Sequence, residues 1–157
     1  MPINTELFRH VYPIRVRFHH VDRMNIVHNL SYFYFFEEAR VEYIRALGLP
    51  VDADTFVTHD RFFIVRNACD YFAPAVFDEQ LTILTRIAAV RTSSIAFEHV
   101  AMKEDGTPAA RAEHVFVHVD AATDRPARVP DPLREMIRTF EGVHVIFQED
   151  TGRSGRS

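Results

Sequence analysis

Apolar and polar residues alternate from Tyr12 onward, with Tyr12, Ile14, Val16 and Phe18 set against Pro13, Arg15, Arg17 and His19. That period of two predicts a strand over residues 12–20 with one buried face. Pro13 has no amide hydrogen, which puts this strand at a sheet edge or near its own start. The period then lengthens. Tyr32, Phe35, Phe36, Ala39, Tyr43 and Leu47 recur at helical spacing and predict a helix over 30–47, with Asn29 as N-cap, Gly48 as the C′ residue and Pro50 barring continuation. Phe33 and Ile44 widen the apolar stripe until the first half is apolar almost all round. Such a helix is expected to lie inside a wrap of other structure.

Alternation returns after a loop at 51–59. It predicts strands at 61–72, 81–90, 94–103 and 110–120, and Asp105-Gly106 marks a hairpin between the last two. Strands joined this closely pair antiparallel. A short amphipathic helix follows, with Asp131 as its cap, Pro132 at its first position, a stripe of Leu133, Met136, Ile137 and Phe140, and Gly142 closing it. Residues 143–147 read as extended, with no assigned place. One apolar helix and about five antiparallel strands make an α+β protein whose sheet curls around the helix. Its free edge and open mouth suit a two-fold partner.

Composition narrows the class. A chain of 157 residues and 18.2 kDa fits one domain, read here as 1–147, followed by a flexible tail at 148–157 that ends Gly-Arg-Ser-Gly-Arg-Ser. Hydrophobic residues at 47% and charged residues at 25% are globular proportions. A net charge of −4 supplies no concentrated positive face for nucleic acid. No apolar run approaches the roughly 20 residues that span a bilayer, and the N-terminus lacks the apolar stretch of a signal peptide. A cytoplasmic protein with no membrane association is expected. With 14 Phe, 5 Tyr and no Trp, phenyl rings should fill the core. Cys69 is the single cysteine; it matches no zinc or redox spacing and reads as a buried filler.

The candidate chemistry lies where the first strand gives way to the helix. Asp22 enters a loop, 23–29, that opens onto the helix N-terminus, whose amides lack intrahelical partners and suit an oxyanion. An ionised Asp beside them serves as nucleophile or general base. His28 is a candidate to orient substrate or Asp22. His19 and His20 are adjacent on a predicted strand and point to opposite faces, so they do not share a metal ion, and no His pair has the helical spacing of a zinc hydrolase.

The stretch resembles the 4-hydroxybenzoyl-CoA thioesterase family of the hotdog-fold superfamily. The residues that carry the likeness are Asp22, Asn25, Val27-His28-Asn29, Tyr32 and Glu37-Glu38-Ala39-Arg40, followed by the run from Asp70-Tyr71 through Pro74-Ala75 to Asp78-Glu79. Arg91-Thr92-Ser93-Ser94 and Arg128-Val129-Pro130 fall where the family has similar segments. The resemblance covers roughly residues 10–141. It implies a hotdog fold, with the curled sheet around one long central helix and a short C-terminal helix. It also implies hydrolysis of an acyl-CoA or acyl-carrier-protein thioester by a homodimer or homotetramer, with no metal and no cofactor beyond the CoA of the substrate.

Carried over by position, Asp22 is the catalytic carboxylate and the backbone N–H of Asn29 polarises the thioester carbonyl. Tyr32 lines the acyl site, and Arg91, Ser93 and Ser94 are candidates to hold CoA phosphates. Two positions depart from the pattern. Asn25 stands where relatives often have Gly, and Phe18 stands where some have Tyr. Two rival readings keep the fold: a dehydratase acting on the same thioesters, and a module that binds acyl-CoA without turning it over.

Overall fold

The computed structural model describes residues 2–54 and 61–149. Five strands, β1 His10–Arg15, β2 Arg61–Tyr71, β3 Gln80–Val90, β4 Ser94–Lys103 and β5 Pro108–Val119, pair antiparallel in the order β1-β3-β4-β5-β2. Gly106 takes a φ of +83° between β4 and β5, the left-handed backbone that the Asp105-Gly106 pair foretells. β2 and β1 form the two edges.

β1 is shorter than its alternation predicts. It stops at Arg15, and Phe18–His20 turns as a 3-10 helix in which the Arg17 N–H donates to His20 Nδ1 (2.8 Å). Val16 stays buried, but Phe18 is 81% exposed and meets Phe77 edge-on instead of extending the buried face. The turn also brings the His19 and His20 rings to 4.0 Å, so the opposed orientation expected of strand neighbours does not hold.

The helix α1 spans Ser31–Ala46, with Gly48 at a φ of +96° just beyond its C-cap. Tyr32, Phe35, Phe36, Ala39 and Tyr43 are buried against the sheet. The opposite face is open: Tyr34 is 70% exposed, and Glu37 and Glu38 lie in solvent. The helix therefore rests on the sheet with one wet face and is not enclosed, because Glu37, Glu38, Glu42 and Arg45 cut the apolar stripe.

The second helix, α2 Asp131–Glu141, is capped by Pro130; the Asp131 carboxylate accepts from Arg128 instead of capping. Gly142 ends it at a φ of +64°. After a 3-10 turn at Gly142–His144, residues Ile146–Phe147 form β6, parallel to β3 at Ala89 and Val90. β1 pairs β3 only as far as Thr85, so β6 covers the stretch that β1 leaves open. Gln148 donates to the Val90 carbonyl (2.9 Å), and Glu149 pairs with Arg128 and Arg134. The rest of the predicted tail and part of the 51–59 loop lie outside the described residues.

Under α1 the sheet carries a polar row. Thr85 Oγ1 lies 3.0 Å from His99 Nδ1, and Arg40 donates to His114 Nδ1 (2.9 Å). Phe36 stacks on His99 and Phe33 on His114. Burial pushes His99 well below the usual imidazole value and, with the nearby Arg40 charge, His114 down to about 4. Both rings are neutral in the fold, whereas the unfolded chain protonates them near 6.5. The unfolded state thus binds more protons between pH 6.5 and 4, and stability falls as the pH is lowered through that window. His114 alone accounts for about 3 kcal/mol. About 2 kcal/mol of this is lost by pH 5, so urea midpoints at pH 7.5 and 5 should differ by the equivalent of that loss, and His114→Gln should flatten the dependence.

Candidate active site

The predicted loop is a tight, fully tied structure. Val21 bridges Val27, the Asp22 N–H donates to the Ile26 carbonyl (2.9 Å), and the Asn25 N–H donates to the Asp22 carbonyl (3.0 Å). Asn25 adopts a φ of +60°, which Asn tolerates better than most side chains. The substitution for Gly is thus accommodated by the same backbone turn. Asp22 Oδ1 accepts the Met24 N–H (2.8 Å), which fixes the carboxylate. The loop is stitched to the β2–β3 connection through Val27 N–H to the Ala75 carbonyl (2.8 Å) and an Ile26–Val76 bridge.

The start of α1 differs from expectation in its cap. His28 Nδ1, not the Asn29 side chain, takes up an amide there, accepting from Leu30 N–H (3.1 Å). The His28 carbonyl accepts from Ser31 N–H (2.8 Å), and Ser31 Oγ donates to the His20 carbonyl (2.9 Å). His28 therefore shapes the helix start, and its ring is not part of the cleft wall. Asn29 is exposed, and its N–H has no acceptor among the described residues. Its carbonyl accepts from the Tyr71 hydroxyl (3.0 Å).

An open cleft of about 480 Å³ gathers Asp22, Asn29, Tyr32, Tyr71, Phe72 and Pro74. The structure thus brings three predicted residues together and adds Tyr71. The sequence places Tyr71 only within the Pro-Ala landmark, yet its parity with Cys69 on β2 turns it to the same face. The Tyr32 and Tyr71 rings lie 5.6 Å apart, and burial pushes both phenols up to about 12, so both are neutral donors near pH 7. Cys69 is half-buried beside them, with burial pushing its thiol up. It is therefore no activated nucleophile.

Arg91, Ser93 and Ser94 lie elsewhere. They form the β3–β4 turn, closed by Arg91 N–H to the Ser94 carbonyl (2.8 Å), with Arg134 donating to the Arg91 and Thr92 carbonyls. The Asp22 loop adjoins the start of β3, so the length of that strand, about 30 Å, separates them from Asp22 within one chain. Among the described residues no group of three or more His, Cys, Asp or Glu is placed to hold a metal ion, and no helix is long and apolar enough to cross a membrane.

The chain is 33% identical to the acyl-CoA thioester hydrolase YbgC of Escherichia coli O6:H1 over 132 residues, covering 83% of this chain and 96% of the relative. It is 31% identical to the long-chain acyl-CoA thioesterase FadM of Escherichia coli K12, over 79% of this chain and 93% of that one. A thioesterase of Thermus thermophilus, solved with coenzyme A and zinc, superposes with a TM-score of 0.75 at 28% identity, covering 87% of this chain and 98% of that one. The family model of the thioesterase-like superfamily matches residues 16–137. The α+β architecture, the antiparallel sheet and the sequence matches agree, and the chain belongs to the thioesterase-like superfamily, whose fold is the hotdog.

Proposed function

We propose that this protein hydrolyses acyl-CoA thioesters, with Asp22 as the catalytic carboxylate and the Asn29 N–H as oxyanion donor. The observation that carries the reading is their convergence: a fixed carboxylate and an amide without an acceptor line one cleft. A thioester carbonyl placed against the Asn29 N–H gains negative charge on oxygen as its carbon is attacked, and one such donor is worth about 3–4 kcal/mol. Asp22 either attacks that carbon, forming a mixed anhydride as the C–S bond breaks and CoA thiolate departs, or takes a proton from the attacking water. Labelled oxygen from water appears in Asp22 only on the first route. Tyr71 is a positioning residue, since its hydroxyl holds the carbonyl of Asn29.

No metal and no cofactor beyond the CoA of the substrate enter this scheme. An acyl-carrier-protein thioester presents the same carbonyl and is the alternative substrate. A homodimer or homotetramer is the proposed assembly, because β2 leaves a sheet edge whose Phe63, Ile64 and Val65 are exposed. With about 30 Å between Arg91 and Asp22 along β3, contacts of Arg91, Ser93 or Ser94 to CoA phosphates fall to another subunit's site.

Release of free thiol from a panel of acyl-CoAs, running from acetyl to long-chain and aromatic, tests the activity. Turnover on at least one member, retained after dialysis against EDTA, is the expected outcome. Saturable binding of every member without thiol release identifies a binding module instead.

A further inference from the structure

Arg40 is the one charged group of α1 turned toward the sheet. Its guanidinium donates to His114 Nδ1 and lies over the rings of Phe116 (4.7 Å) and Phe97 (5.9 Å). Burial lowers it to about 10, so it remains cationic at neutral pH. Among the described residues no carboxylate stands within 4 Å of it. Glu37 lies at the rim and favours the charge from farther off. A guanidinium has five N–H donors, and one of them is engaged here. Removing such a cation from water without a counter-charge costs several kcal/mol.

This guanidinium forms part of the wall of a groove of about 320 Å³ between the second half of α1, the sheet and α2. Val41, Ile44, Leu47, Phe62, Ile95 and Leu133 make its walls apolar. The groove shares no lining residue with the Asp22 cleft. Arg40 comes eleven residues after Asn29, about 16 Å along a helix at 1.5 Å per residue. An apolar trough with one under-paired guanidinium selects a ligand with an apolar body and a planar anion at one end, since a carboxylate accepts two parallel N–H bonds from Arg.

We propose that this groove is a second ligand site, for an aliphatic carboxylate of about ten non-hydrogen atoms, at roughly 30 Å³ per atom. The carboxylate pairs with Arg40 and the chain lies along Val41, Ile44 and Leu133. Two sources share that chemistry, a free fatty acid and the distal carboxylate of a longer acyl group.

Calorimetric titration of the whole protein with octanoate tests the site, and it requires no turnover. One octanoate per chain is expected, with 1-octanol at least about tenfold weaker and octylamine showing no saturation. Arg40→Met should weaken octanoate by at least about tenfold, and Arg40→Lys by less. Because Arg40→Met also disturbs His114, Leu133→Trp is the second variant; it fills the trough from α2 and should abolish octanoate binding with the charge intact. A non-hydrolysable CoA thioether carrying a distal carboxylate then separates the sources. Displacement of octanoate by it, but not by the plain acyl analogue of equal length, identifies the substrate's own carboxylate; no displacement by either identifies the free acid. Absent saturation, equal affinity for octanoate and octanol, or unchanged octanoate binding in both Arg40→Met and Leu133→Trp overturns the proposal.

Discussion

Asp22→Asn lowers kcat on the best acyl-CoA by about a thousandfold and leaves KM within a few-fold. The variant isolates the charge. The Asn side-chain oxygen still accepts the Met24 N–H that Asp22 Oδ1 holds at 2.8 Å, so the loop, its Val21–Val27 bridge and the position of Asn29 are kept. What disappears is the carboxylate as nucleophile or proton acceptor. Asp22→Ala should fall as far in kcat. Its stability should drop only slightly, because the Met24 N–H it frees lies at an exposed turn. Asn29→Ala provides the contrast: the proposed donor is a backbone N–H, so activity stays within a few-fold. The measurement is kcat and KM for the three variants, with circular dichroism and elution volume as folding controls. An Asp22→Asn enzyme within tenfold of wild type assigns the catalytic carboxylate elsewhere.

Local chemistry predicted most of the elements that frame this site. Period-two alternation located β2 to β5 within a residue or two at most ends, and the glycines at 48, 106 and 142 take the positive φ values their positions suggest. Where the reading missed, a contact distant in sequence decides the outcome. Phe18 continues the alternation of β1, but the chain has already turned, and that turn is fixed by His20 and by pairing of Val16 with the backbone of Asp78 and Glu79. Asn29 is the better capping residue by type, yet the N-cap position falls on Leu30 with no side-chain cap, and the Leu30 N–H is taken by His28 Nδ1 while Tyr71 from β2 holds the Asn29 carbonyl. Tyr71 itself becomes visible only when β2 lies beside α1. Arg91, Ser93 and Ser94 share a motif order with Asp22 and lie at the other end of a strand from it. His99 and His114 are buried beneath α1, and nothing in their local spacing marks them as covered. Polarity alone does not show which face of a strand a helix covers.

Glu141→Ala destabilises the protein by about 3–5 kcal/mol, lowering Tm by about 10 °C. Glu141 is 1% exposed at the end of α2. Its Oε1 accepts both the Tyr43 hydroxyl (2.5 Å), from the second half of α1, and the Ile87 N–H (2.9 Å), from β3. One side chain thus ties α2 to both layers beneath it. Ile87 sits at the β3 bulge, where the register with β4 shifts, and its amide has to find an acceptor off the ladder. Truncation takes from that amide and from a fully buried phenol the carboxylate they share and opens a cavity between α2 and the layers beneath it. Glu141→Gln separates hydrogen bonding from charge, because its side-chain oxygen can accept from the same two donors. Burial raises the Glu141 carboxyl above its ordinary value, so the folded state holds this proton more tightly than the unfolded chain. Its contribution is complete below the ordinary carboxyl value of 4.5 and is lost as pH rises through the folded value, opposite in sign to that of His114. Glu141→Gln removes this dependence and should match or exceed the wild type in urea midpoint at pH 7.5. A Glu141→Gln loss as large as that of Glu141→Ala means that the carboxylate charge, not its acceptor geometry, joins the two helices.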